Sequence, residues 1–201
     1  MVRRALIVVD VQRDFCPGGS LAVRRGDTII PRLNRVIASF EHAGLPIFFS
    51  RDWHPQNHCS FREQGGPWPS HCVRGTPGAE FHPKLQVPLD VTIISKATDP
   101  GTESYSAFGG TGLAARLREM GIAELFIGGL ATDYCVKESS LDALDEGFKV
   151  GVIEDCVEGV NVKKGDSASA LKAVVKRGAR LTVSRRVIEA VTRAGRKQQT
   201  E

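Results

Sequence analysis

The 201-residue chain has no apolar run approaching the length of a membrane span. A bilayer-crossing segment is therefore not expected. The opening MVRRALIVVDVQRDF has an apolar stretch that stops at Asp10 without a small-residue cleavage site, so no secretory leader is expected either. Its five cysteines, at 16, 59, 72, 135 and 156, form an odd set without a CxxC pair or regular spacing. That pattern argues against a disulfide framework or a structural zinc knot, and for reduced thiols in a cytoplasmic protein. Internal repeats and low-complexity blocks are lacking too. With 41% hydrophobic and 25% charged positions, the composition is that of an ordinary globular domain.

A large excess of one charge sign is lacking except at the end. From Lys163 to Glu201 there are 11 Lys/Arg against 3 Asp/Glu, which leaves 16 against 20 in the first 162 residues. The C-terminal arginines are not interleaved with aromatics and accompany no nucleic-acid motif. A solvated helix face is expected there rather than a nucleic-acid surface, with a frayed tail over 196–201 and a single domain over 1–195.

What is present alternates strand and helix. Ala5 to Val11 (ALIVVDV) is a continuous, mostly β-branched run, expected to form a central strand with Asp10 emerging at its carboxyl end. Ile29 to His42 reads as a helix with Pro31 in its first turn, and PIFFS (46–50) as the second strand. VTIIS (91–95), the run around Leu125 to Ile127, Lys149 to Ile153 and Arg180 to Val183 supply four more strands. Helices are expected over Leu113 to Met120, from Thr132 to Gly147, over Gly165 to Arg177 and over Ser184 to Ala194. Six strands with interposed helices predict a three-layer α/β/α sandwich, Rossmann-like, with a mostly or wholly parallel sheet. Ligands are then expected over the strand carboxyl ends.

Chemistry-bearing residues gather at those ends. Cys135 follows the strand in ELFIGGLATDYCV and is expected just inside a strand-to-helix turn, where a helix N-terminus would favour thiolate. A small buried hydrophobe is an equally good reading of that stretch alone. Asp10 and Lys96 likewise stand at or just past strand ends. Between Arg51 and Asp90 periodicity disappears, and this long stretch holds four of the chain's five histidines. A loop of that length inside a domain is usually functional. Asp52 and His54, two apart at a strand exit, point the same way in extended backbone and would begin a divalent-metal site. His71 could close it, leaving positions open as a catalytic metal requires. Polar residues that merely satisfy the loop backbone are the competing reading.

The segments DVQRDFCPGGSL, SRDWHPQNHCSF, GPWPSHCVRGTPGAEFHP, KATDPGTESYSAF and GLATDYCV, in this order, resemble those of nicotinamidases of the isochorismatase-like hydrolase superfamily. The resemblance runs to about Val160. It implies a cysteine amidohydrolase that converts nicotinamide and water to nicotinate and ammonia in NAD salvage, with pyrazinamide as a further substrate. It implies a catalytic triad of Asp10, Lys96 and Cys135, an oxyanion hole from the backbone N–H groups of Ala131 and Cys135, and a cis peptide between Leu130 and Ala131. Asp52, His54 and His71 are implied to hold one divalent metal, zinc foremost, with iron or manganese open. Ser60 could reach that metal through water, and a contribution from His58 stays open. Phe15, Leu21, Trp68, Tyr105, Ala131 and Tyr134 are implied to form the substrate pocket. A homo-oligomer is left open, and neither nucleic acid nor membrane is an expected partner. Two alternatives stand beside this reading: relatives that cleave isochorismate or N-carbamoylsarcosine, and a binding module on an inactive scaffold. The DxH set with its third histidine speaks against the isochorismate branch, and retention of all three triad residues against the inactive scaffold.

Overall fold

Strand β1 (Arg3–Val9) is buried over its last five residues, and its side chains alternate between two cores. Leu6 and Val8 join one, while Ala5, Ile7 and Val9 join the other, as expected of a central strand covered on both faces. The computed structural model describes residues 3–198. After β1 come α1 (Ile30–His42), β2 (Ile47–Asp52), β3 (Thr92–Lys96), α2 (Leu113–Glu119) and β4 (Ile122–Leu130). The order closes with α3 (Lys137–Asp145), β5 (Lys149–Glu158), α4 (Asp166–Lys176), β6 (Arg180–Thr182) and α5 (Ser184–Gln198). The six strands form one sheet in the order β3-β2-β1-β4-β5-β6, and every pairing is parallel.

Helices cover both faces because their apolar positions recur at helical spacing. In α1, Ile30, Leu33, Val36, Ile37 and Phe40 are buried, and with Val187 and Val191 of α5 they complete the first core. Each such side chain contributes about 1.5–3 kcal/mol by leaving water. Leu113 and Leu117 of α2, Ala143 of α3 and Val174 of α4 close the second core on the opposite face. The three-layer parallel architecture expected from the sequence is the one observed.

Chain direction through the sheet reverses between β1 and its neighbour β4, and the crevice beyond the carboxyl ends at such a switch point is where α/β sheets place ligands. Gly129 of β4 makes the approach close: at φ 129° a Cβ there would meet the backbone of Val9. Only glycine fits.

Some boundaries differ from expectation. Strand β5 runs on to Glu158 instead of stopping at Ile153. A register shift against β4 after Ile127 interrupts the alternation and hid the continuation. Strand β1 ends at Val9, so Asp10 lies beyond it, while β2 and β3 take in Asp52 and Lys96. Helix α5 continues through 196–198, and the rest of the expected tail, 199–201, lies outside the described residues. Between β2 and β3 stand only single helical turns such as Arg62–Gln64 and Pro77–Ala79. No helix is long and apolar enough to cross a membrane among the described residues.

Candidate active site

Four strands deliver the site. Asp10 follows β1, Asp52 ends β2, Lys96 ends β3, and Cys135 lies in a π-helical turn, Thr132–Val136, after β4. Parallel pairing sets Asp52 directly opposite Lys96. The buried Lys96 ammonium donates to Asp52 Oδ1 and lies 3.0 Å from Asp10 Oδ2 and 3.4 Å from Cys135 Sγ. It also donates to the Ser104 carbonyl at 3.3 Å. Asp10 Oδ1 accepts from Ser50 Oγ at 2.6 Å, but no hydrogen bond is aligned on Asp10 Oδ2. The candidate ligand atoms of Asp10, Asp52 and Cys135 all lie within 4.8 Å of one another.

Burial dominates the electrostatics. It raises the Asp10 carboxyl above the usual carboxylate range, with the Lys96 ammonium pulling the other way. It would lower Lys96, but the carboxylates of Asp10 and Asp52 outweigh it and hold the ammonium well above its ordinary value. Asp52 is also buried, yet Lys96 and His54 keep its carboxyl well below the ordinary value. Cys135 is pushed well above the ordinary thiol range, chiefly by burial, with Lys96 opposing. Cys135 thus lies in the strand-to-helix turn expected of it, which runs without a break into α3. Desolvation of the sulfur favours the thiol there, and the Lys96 ammonium favours the thiolate.

Asp52 joins this cluster to a second one. Its Oδ2 lies 3.5 Å from His54 Nε2, and candidate ligand atoms of Asp52, His54 and His71 fall within 4.8 Å of one another, all three residues buried. His71 Nδ1 is 2.8 Å from the Pro69 carbonyl and His54 Nδ1 is 3.3 Å from that of Ala97. Such backbone contacts orient imidazoles so that Nε2 is left for a metal. Among the described residues three buried side-chain polar atoms lack a hydrogen-bond partner: Asp10 Oδ2, His54 Nε2 and Ser167 Oγ. An orphaned, buried His54 Nε2 facing a carboxylate fits a divalent cation, and two buried carboxylates against one ammonium leave negative charge for it to offset. His58 is engaged otherwise: its Nδ1 is 2.7 Å from Ser60 Oγ and its Nε2 3.2 Å from the Thr102 carbonyl. Ser60 and His58 thus satisfy each other, although the His58 ring packs 4.2 Å from that of His54.

A narrow cleft leads to Cys135. Phe15, Leu21, Trp68, Tyr105, Ala131 and Tyr134 all line it, with Asp52 and His71. Trp68 Nε1 donates to Tyr105 Oη at 3.0 Å. Tyr134 meets Trp68 edge-on at 5.2 Å and tilts against Tyr105 at 5.5 Å. Three aromatic side chains, two from separate loops and one from the turn after β4, therefore wall one space.

Several contributors escaped the sequence reading. Val160, just beyond β5, lines the cleft. Buried Gln12 clamps Asp52: its Nε2 donates to the Asp52 carbonyl at 2.8 Å and its Oε1 accepts from the Asp52 N–H at 2.8 Å. Asp14 Oδ2 accepts from Cys72 N–H at 2.7 Å, which anchors the residue after His71. Asp10, Cys72 and Ala97 have φ of 48°, 46° and 50°, unfavourable for side-chain-bearing residues. Each is, or directly follows, a residue of the two clusters. The Leu130–Ala131 peptide is cis. The DVQRDF stretch was the available signal for Gln12 and Asp14, because it directly continues a catalytic strand.

A buried Cys-Asp-Lys cluster at the switch point of an all-parallel sheet, with residues alongside that could hold a metal ion, suits a class of hydrolase. Residues 4–185 match the isochorismatase domain, and the chain belongs to that family. Within the family it is an amidohydrolase, similar to the nicotinamidase of Escherichia coli (strain K12): 42% identical over 202 residues, covering 90% of this chain and 95% of that one. Its structure superposes with a TM-score of 0.86 on the pyrazinamidase of Pyrococcus horikoshii solved in complex with zinc, at 51% identity over 90% of this chain and 99% of that one. PnC1 from L. infantum, solved in complex with nicotinate, gives a TM-score of 0.83 at 34% identity, covering 91% of this chain and 93% of that one.

Proposed function

We propose that this enzyme hydrolyses nicotinamide to nicotinate and ammonia through a thioester on Cys135, and accepts pyrazinamide as well. One observation carries the reading: buried Lys96 stands 3.0 Å from Asp10 Oδ2 and 3.4 Å from Cys135 Sγ, with Cys135 at the bottom of a cleft walled by Trp68, Tyr105 and Tyr134. The similarity to nicotinamidases supports it.

Asp10 Oδ2 takes the proton from Cys135 Sγ, and burial, which raises the Asp10 carboxyl, makes it a better base than an exposed aspartate. Lys96 stays cationic and holds the resulting negative charge at the sulfur, 3.4 Å away. The sulfur attacks the carboxamide carbon, and the backbone N–H groups of Ala131 and Cys135 receive the oxyanion. The C–N bond breaks as Asp10 returns its proton to nitrogen, and ammonia leaves. Water then cleaves the thioester, giving its proton to Asp10, which restores the Cys135 thiol. The aromatic walls orient the flat ring so that its amide meets the sulfur. Asp52, His54 and His71 would hold a divalent ion, zinc by chemical fit, which when bound supplies Lewis acidity beside the ring.

The test is ammonia release from nicotinamide by wild type and by Cys135→Ala. Turnover in wild type with background release in the variant is the expected result. Wild type silent on nicotinamide in the presence of zinc, iron or manganese would sink the substrate assignment and turn attention to carbamoyl substrates.

A further inference from the structure

The cleft wall at Val160 and the turn that carries Cys135 leave the paired ends of β5 and β4, and beyond that pairing a carboxylate joins them again. Asp133, two residues before Cys135, is buried. Its Oδ1 accepts the Val160 N–H at 2.9 Å and its Oδ2 the Asn161 N–H at 2.7 Å. Both oxygens therefore face the loop that leaves β5. The loop is shaped to meet them. Gly159 admits no side chain, since a Cβ there would run into Ser167 Oγ and come within 2.8 Å of Asp133 Oδ1. Asn161 takes φ 51°, and its Oδ1 accepts from the Ser167 N–H in the first turn of α4 at 3.0 Å.

From this geometry we infer that Asp133 is a positioning residue for the substrate cleft. It locks Val160 against the turn that carries Tyr134 and Cys135, and so sets the width of the pocket on that side. The inference rests on the proposed hydrolysis of a small aromatic amide, and it assigns Asp133 a role in binding rather than in proton transfer. Two backbone N–H groups point at the carboxylate, and only an acceptor at both oxygens satisfies them. Asparagine keeps the shape but turns an NH₂ toward one N–H, so the loop must move off.

The test combines kinetics on nicotinamide with amide hydrogen exchange in the free enzyme. For Asp133→Asn, KM is expected to rise about tenfold with kcat within about twofold, since a hydrogen bond to a charged acceptor is lost. Val160→Ala widens the same wall and should raise KM several-fold. If Asp133 acts through Val160, the double variant should resemble the worse single variant instead of showing the product of the two effects. Gly159→Ala, which keeps the carboxylate's charge but sets a Cβ against Ser167 Oγ and Asp133 Oδ1 and so disturbs the same contact, should reproduce the KM rise if Asp133→Asn folds poorly. Exchange at the Val160 and Asn161 amides should quicken about tenfold in Asp133→Asn while β1 amides stay protected. An unchanged KM in both loop variants, multiplicative effects in the double variant, or unchanged exchange at Val160 and Asn161 would each overturn the assignment. Wild type silent on nicotinamide would defeat the proposed activity instead, and exchange without substrate would still decide the clasp.

Discussion

The two ends of the sheet solve opposite charge problems. At the amino end Glu124 of β4, nearly buried, is gripped by Arg4 at 2.6 Å and Arg180 at 2.7 Å, and both arginines reach solvent, with side chains 27% and 56% exposed. At the carboxyl end Lys96 is gripped by Asp10 and Asp52, and all three are buried. One anion between two solvated cations is fully satisfied, and such partly exposed pairs contribute little. One cation between two buried anions leaves a surplus of negative charge out of water. The difference teaches where to look for chemistry: surplus buried charge persists only where something will use it.

Breaking the carboxyl end should have the largest effect. Lys96→Met removes the only ammonium between two buried carboxylates, and we expect activity to fall to background. Stability should fall by about 3–5 kcal/mol, read from urea unfolding beside wild type. A variant as stable as wild type would show that Lys96 neutralises no buried charge.

Metal removal should come next. The His54 and His71 imidazoles and the Asp52 carboxylate are the proposed ligand set, so chelation of the purified enzyme should abolish ammonia release and lower the unfolding midpoint. An ion present at 100 times its dissociation constant stabilises the fold by about 2.7 kcal/mol. Restoration of the midpoint by zinc in His54→Ala would contradict this ligand set.

The smallest effect belongs to the amino end. Glu124→Gln weakens both arginine contacts without stranding a charge, and we expect a loss of about 1 kcal/mol or less with kcat/KM within about twofold of wild type. A collapse of activity in this variant would erase the contrast between the two ends.

Much of the candidate site was legible because its residues announce themselves locally. Asp10, Lys96 and Cys135 each interrupt or follow an apolar run, and Asp52 and His54 share the period of an extended chain. The contact of Asp52 with Lys96 was not legible, because it depends on β2 lying beside β3 in register. Neither were Gln12, Ser50 and Val160 as site residues, since each acts on a partner at least 25 residues away in sequence. The strand-to-helix turn around Cys135 was legible, but the burial of its sulfur was not, because the surrounding core imposes it.

The sequence by itself determined the alternation of strands and helices, and hence a doubly covered parallel sheet, because burial of an apolar run depends on spacing along the chain. It also determined which residue types could do chemistry, through the segments shared with an amidohydrolase family. Only the tertiary structure decided which of these groups touch and which are shut away from water. Only it showed that the turn carrying Cys135 is hydrogen-bonded to the cleft wall through Asp133. Those are consequences of strand order and register, and the long-range contacts that establish them have no periodic trace in the sequence.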